Sequence, residues 1–142
     1  SMATKTDVII RPALDVDALE LAAFIQPFVD EGILLPRTLT ELNELLPSFF
    51  IAELDGQLVG CAALEVYSPK LAEIRSLAVS PAAQGLGIGR RLVAACVQRA
   101  HELRILEVMA ITSSDNFFMA CGFDYTLPGE KRALFIQTRD KL

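Results

Sequence analysis

The sequence contains no tryptophan, a single histidine, three cysteines and no basic surplus, and each shortage removes a class of function. The cysteines (Cys61, Cys96 and Cys121) are odd in number and share no C-x-x-C spacing, which excludes a disulfide framework and a zinc site. Each reads as a small buried hydrophobe in a reducing compartment, and a cytoplasmic location is expected. His101, near the end of a polar helix face, reads as a surface residue. The net charge of −5 lacks the basic surface that a phosphate backbone requires, so no nucleic-acid partner is expected. No apolar run approaches the roughly 18 residues of a membrane span, and no signal-peptide pattern opens the chain. Repeats, low-complexity tracts and linkers are also missing. Ser1-Met2 reads as a tag scar followed by the initiator methionine, leaving residues 3–142 as one expected domain.

What is present describes a packed globule: 52% of the 142 residues are hydrophobic and 22% charged. "DVIIRP" predicts a first strand ended by Pro12. Asp15 or Asp17 is placed to cap a helix whose apolar residues Ala18, Leu21, Ala22, Ile25 and Phe28 keep helical spacing, with Pro27 disturbing its last turn. Thr38 to Glu41 has the capping-box form and opens a short helix closed by Pro47. Asp55-Gly56 marks a hairpin turn, and "LAEIRSLAV" is the next strand. A one-faced helix starts at Ile88, followed by "ILEVMAIT", apolar enough for the centre of a sheet. A short helix then ends at Gly122, and two strands around a Pro-Gly turn close the chain. This order predicts an α+β fold: a mixed, mostly antiparallel sheet with a central β-α-β unit, flanked by helices.

The stretch "LAVSPAAQGLGIGRRLV" (residues 77–93) carries the chemistry. A strand runs into Pro81, then into three glycines at the mouth of a helix. The first amides of a helix lack internal partners and carry the positive end of its dipole. Glycines let backbone wrap an anion closely, so the loop reads as a pyrophosphate cradle, with a plain strand-to-helix turn as the bland alternative. Arg90 and Arg91 add charge at its rim or are simply solvated. A Walker loop requires a GK[ST] triplet, which is absent. The spacing of Gly85, Gly87 and Gly89 is not that of a dinucleotide fingerprint, and it follows the fourth expected strand rather than the first.

Leu77-Ala78-Val79-Ser80-Pro81, Gln84 to Gly89, and the later Gly122-Phe123 resemble, in order and spacing, the signature of the GNAT family of N-acetyltransferases. The resemblance covers nearly the whole chain. It implies acetyl-CoA as cosubstrate, no metal, and direct transfer in a ternary complex without an acyl-enzyme. The implied cofactor-binding residues are Leu77, Ala78, Val79, Gln84, Gly85, Leu86, Gly87, Ile88, Gly89 and Arg90. The amides of the last seven would hold the pyrophosphate, and Leu77 to Val79 would pair with the pantetheine. Glu73, in an "AEI" context that some members share, is implied as the general base, with Glu65 as second choice. The amide of Val79 would polarise the thioester carbonyl.

A narrower resemblance, in "EGILLPRT", "GCAAL", "NFFMACGF" and "LPGEKRALF", is to the acetyltransferase domain of bacterial amino-acid N-acetyltransferases, the N-acetylglutamate synthases of arginine biosynthesis. It implies glutamate as the leading acceptor and Arg37, Cys61, Ser113 and Lys131 as substrate-binding residues. Two positions depart from the pattern. Phe118 stands where many members carry a tyrosine acid, leaving Ser113, Ser114, Cys121 or water for that role, and Ser113 stands where an arginine would hold the substrate carboxylate. A protein or peptide acetyltransferase and a non-catalytic CoA-binding sensor are the alternative readings. Oligomeric state is not fixed by the sequence, with a homodimer one option.

Overall fold

The computed structural model describes residues 7–126 and 129–139. Its sheet grows from Asp55-Gly56, where both residues have positive φ (52° and 75°) and so give a turn whose twist matches paired antiparallel strands. From this turn run β2 (Phe49–Leu54) and β3 (Gln57–Ser68). β1 (Val8–Pro12) pairs antiparallel with β2, and β4 (Leu71–Val79) antiparallel with β3. β5 (Glu107–Met109) lies parallel to β4, and the order is β1-β2-β3-β4-β5. The parallel step requires a crossover, which α3 (Ile88–Glu102) supplies. The α+β fold with a mixed, mostly antiparallel sheet is therefore as expected.

Alternation along β3 assigns the two faces. Cys61 and Ala63 pack with Ala78, Phe49, Leu21 and Ile25 of α1 (Ala18–Asp30) and Leu42 of α2 (Leu39–Leu45). The intervening face receives α3, and Gly60 sets how closely. A Cβ there would lie 3.1 Å from both Ile88 Cγ2 and Leu92 Cδ1 and 3.2 Å from the Ala78 carbonyl. Any larger residue would push α3 or the Ala78 carbonyl back by a few tenths of an ångström. Thr38 and Glu41 form the expected reciprocal capping box of α2.

The start of α1 corrects the sequence reading. Asp17 precedes the helix, yet its side chain caps nothing there. It is buried in the fork of Arg11, with Nη1 to Oδ2 at 2.7 Å and Nη2 to Oδ1 at 2.8 Å, and it accepts from the Leu14 amide. Arg11 also donates to Glu53 Oε1 from Nε and Nη2, so one guanidinium ties β1, the entry to α1, and β2. Two charge-assisted bonds outweigh one helix cap. Pro27 interrupts less than expected, since α1 runs on to Asp30.

Two further expectations fail on strand pairing. β5 is three residues long and ends the sheet order instead of lying at its centre, with Leu106 and Ile111 exposed on either side. The closing pair of strands is absent among residues 123–126 and 129–139, the Leu-Pro of their turn lying outside the described residues. Leu134 (91% exposed), Phe135 and Ile136 have β-rich composition without burial. A strand is held by pairing and packing more than by propensity.

The described residues form two compact units, one up to Thr112 and one from Ser113 onward. The second contains α4 (Asp115–Ala120), where Phe118 is buried and stacks edge-on against Phe117 and Phe123. Gly122, at φ 96°, follows the helix end, and the Tyr125 hydroxyl donates to the Asp115 carboxylate. Among the described residues no helix is long and apolar enough to cross a membrane.

The Arg11 fork holds the Asp17 carboxyl below its ordinary range, through its hydrogen bonds and against the cost of burial. A carboxyl depressed in the folded state contributes stability above its unfolded pKa and loses it as the pH falls below about 4. Asp17→Asn is expected to lower unfolding free energy at pH 7 by about 1.5–3 kcal/mol. Urea titrations at pH 7 and pH 3 check this, and the gap to the parent should shrink at the lower pH.

Candidate active site

The two ends of β4 carry different chemistry. At its C-terminal end Ser80 N–H donates to the Val59 carbonyl, and a short turn over Pro81–Ala83 leads to an extended Gln84. Gly85 and Gly87 both have positive φ (85° and 74°), and Gly87 stands at the N-cap of α3 with no side chain to cap it. A Cβ on either would meet nothing within 4 Å, so the outer side of the loop is open. Gln84, Gly85, Gly87 and Arg90 are exposed, Leu86 and Gly89 half-buried, and Ile88 anchors the loop in the core. Arg91 turns away from the rim and donates to the Val8 carbonyl of β1.

β5 pairs with β4 only over Leu71, Ala72 and Glu73. Among the described residues no strand lies on that side of Leu77, Ala78 and Val79, which leaves a sheet edge for an extended ligand. An open glycine loop at the head of a helix, beside an open sheet edge, fits the pyrophosphate and pantetheine of coenzyme A.

Toward the other end of β4, Glu73 stands directly opposite Glu65 of β3. Glu73 is buried, and its Oε1 accepts from the Tyr67 hydroxyl at 2.6 Å. Glu65 accepts from Arg37 Nη2 at 3.0 Å on one oxygen and from Arg75 Nη1 at 3.3 Å on the other. Arg37 sits in the loop before α2, its side chain 12% exposed. The residues before Thr38 place it: the capping box fixes the chain at the helix entrance, one residue after the guanidinium.

Two irregularities bracket this cluster. Between Cys61 and Ala63 the register shifts because β4 spends one extra residue, and Ser76 takes a positive φ of 55°. Between Val66 and Ser68 it shifts the other way, leaving Tyr67 as the extra residue of β3. Bulges of this kind re-aim side chains. Sequence reading missed Tyr67, Arg75 and Ser76. The first two did leave a signal, since Glu65/Tyr67 and Glu73/Arg75 are polar pairs at period two on otherwise apolar strands. Ser76 left none.

The expected site residues therefore divide. Arg37, Glu65 and Glu73 come together, with Cys61 further along the same face. Ser113 and Lys131 belong to the second unit and are exposed, and Phe118 is the buried ring of that unit. His101 is exposed, as expected. Among the described residues no group of three or more His, Cys, Asp or Glu is placed to hold a metal ion.

Comparison with known proteins adds independent findings. The sequence model of the acetyltransferase (GNAT) family matches residues 15–123. An amino-acid acetyltransferase of Neisseria meningitidis serogroup A is 39% identical over 125 residues, 87% of this chain and 29% of that protein. The N-acetylglutamate synthase of Neisseria gonorrhoeae, solved with coenzyme A and N-acetyl-glutamate, superposes with a TM-score of 0.73 at 37% identity, over 84% of this chain and 28% of that one. A Mycobacterium tuberculosis protein solved with CoA and NLQ superposes with a TM-score of 0.75 at 35% identity, over 84% and 73%. The chain thus spans less than a third of the Neisseria relatives.

No cysteine in the sheet is poised as a nucleophile. Cys61 is fully buried and donates its thiol to the Ser76 carbonyl at 3.2 Å, and burial pushes that thiol up to about 12. Burial likewise raises Cys96 to about 12. Cys121 is half-buried. In the folded protein at pH 7.5, a disulfide reagent is expected to modify Cys61 and Cys96 on the order of 100-fold more slowly than Cys121. In denaturant the three should react alike, and peptide mapping of the labelled thiols checks both.

Proposed function

The chain belongs to the acetyltransferase (GNAT) family, and on that premise we propose that it transfers the acetyl group of acetyl-CoA to the α-amino group of a small amino acid, with glutamate the leading acceptor. In the reaction a nitrogen–carbon bond forms, the thioester carbon–sulfur bond breaks, and the ammonium proton leaves to a base. Acetyl-CoA supplies the activated thioester. The amides from Gly85 to Arg90 would hold its pyrophosphate, the expected Gln84 amide being turned to the Pro81 carbonyl at 3.4 Å, and the edge at Leu77, Ala78 and Val79 would align its pantetheine.

One observation carries the acceptor reading. A half-buried guanidinium, Arg37, is held beside Glu65, directly across the strand pair from Glu73. Glu65 engages one of its N–H groups, and the rest of its planar fork suits a carboxylate, which it binds in two-point fashion. A bound amino acid would then bring its ammonium toward Glu73, a buried carboxylate able to take the proton directly or through water. The amino-acid acetyltransferases among the relatives support an acceptor of this class. With glutamate as acceptor the reaction belongs to arginine biosynthesis in the cytoplasm, as the resemblance implies. The inert thiol of Cys61 suits direct transfer without an acyl-enzyme. Phe118 offers no proton, and in this reading the thiolate departs to solvent.

A CoA-release screen over the free amino acids, with a lysine-rich peptide alongside, tests this function. Turnover with amino acids, glutamate above all, is expected. Turnover confined to the peptide would favour a protein acetyltransferase, and tight CoA binding without turnover would favour a sensor. Arg37→Ala is expected to raise the acceptor KM about 30-fold or more, from losing about 2–5 kcal/mol of charge-paired contact, with the acetyl-CoA KM unchanged. An unaltered acceptor KM would remove Arg37 from the site. Glu73→Gln is expected to abolish the acid limb of the kcat profile.

A further inference from the structure

Glu73 is held by a group that no family pattern above supplies. We propose that Tyr67 is a positioning residue for Glu73: its hydroxyl anchors Oε1 so that Oε2 is presented to the acceptor ammonium or its water. This rests on the reading of Glu73 as the base.

Three observations carry it. The hydroxyl donates to Glu73 Oε1 at 2.6 Å, the length of a charge-assisted bond, and is 3.4 Å from Glu65 Oε2. Second, Tyr67 is the extra residue of the β3 bulge. In regular pairing it would oppose Leu71 at the end of the strand pair. The one-residue slip between Val66 and Ser68 frees it to reach back to Glu73. Third, the ring does little packing, since Tyr67 is 51% exposed while the carboxylate it holds is 8% exposed. A bulge that sends a half-exposed phenol to a buried carboxylate serves that carboxylate.

The surroundings explain why an anchor is required. Glu65 faces Glu73 across the strands, and like charges directly opposite repel. Arg37 and Arg75 both bond Glu65. Glu107 of β5 lies on the same face, two pairs along from the Glu73–Met109 pair. Glu41 of α2 is turned to its own cap at Thr38. Left to these charges, the Glu73 carboxylate would swing from Glu65 and toward Arg75. Tyr67 fixes it with a short bond from a neutral donor. Burial and then the bond to Glu73 push the phenol up to about 12, so it stays protonated and keeps donating throughout the working pH range.

Tyr67→Phe keeps the ring and removes only the donor. Carbon-13 NMR of glutamate-labelled protein, with the Glu73 carboxyl resonance assigned by its loss in Glu73→Gln, needs no substrate. In Tyr67→Phe that resonance is expected to shift and broaden at a fixed pH of about 8, as the carboxylate loses its donor and its single orientation. In turnover with the acceptor found by the amino-acid screen, kcat should fall roughly tenfold with the acceptor and acetyl-CoA KM values unchanged. In a Glu73→Gln background the same substitution should change kcat by less than about twofold, because its effect runs through that carboxylate. An unmoved Glu73 resonance, or an undiminished loss in the Glu73→Gln background, overturns the positioning role. A Glu73→Gln variant that keeps the parent's kcat overturns the reading of Glu73 as base, and the role of Tyr67 in catalysis with it.

Discussion

Two carboxylates directly opposite each other on one face of β3 and β4 are the constraint around which the proposed acceptor end of this protein is organised. A cross-strand pair of like charges costs stability wherever it occurs, and here one member is buried. Everything nearby answers that cost. Arg37 arrives from the α2 entrance and Arg75 from two residues along β4, and each takes one oxygen of Glu65. Tyr67 takes Glu73. Both cations bond Glu65, while Glu73 takes its hydrogen bond from the neutral Tyr67 and feels the charge of Arg75 without bonding it. In the proposed reaction that asymmetry separates the roles of two residues that the sequence left as first and second choices for the same task.

What could be read beforehand, and what could not, divides along physical lines. The turn at Asp55-Gly56, the capping box at Thr38 and the glycines at the mouth of α3 are local devices, written in the residues that perform them. They appear where expected. The burial of Asp17 depended on Arg11 and Glu53, one of them 36 residues away along the chain, and local capping logic ranked the wrong partner. The register slips at Ser76 and Tyr67 depended on how two strands meet, which neither strand records alone. The apolar tail at Leu134, Phe135 and Ile136 reads as a strand by composition, and remains exposed without pairing.

β4 joins the two halves of the proposed reaction. Its bulge at Ser76 separates the edge offered to the donor from the face that carries Glu73, so one strand presents each partner on a different side. The short reach of β5 is part of the same arrangement: pairing that stopped later would have closed the edge at Leu77. The fold makes room for one extended ligand by ending a strand early.

The helix that follows the glycine loop has a second task. α3 fills the sheet's far face through Ile88, Leu92, Val93 and Cys96, and Gly60 lets it sit close. Its first turn is therefore both the mouth of the proposed donor site and part of the core. By linkage, a donor that grips those amides acts as a folding ligand. At a hundred times its dissociation constant it would add about 2.7 kcal/mol to the stability of the whole domain. The cellular supply of acetyl-CoA would then set how long the protein survives unfolding and proteolysis, as well as how fast it works.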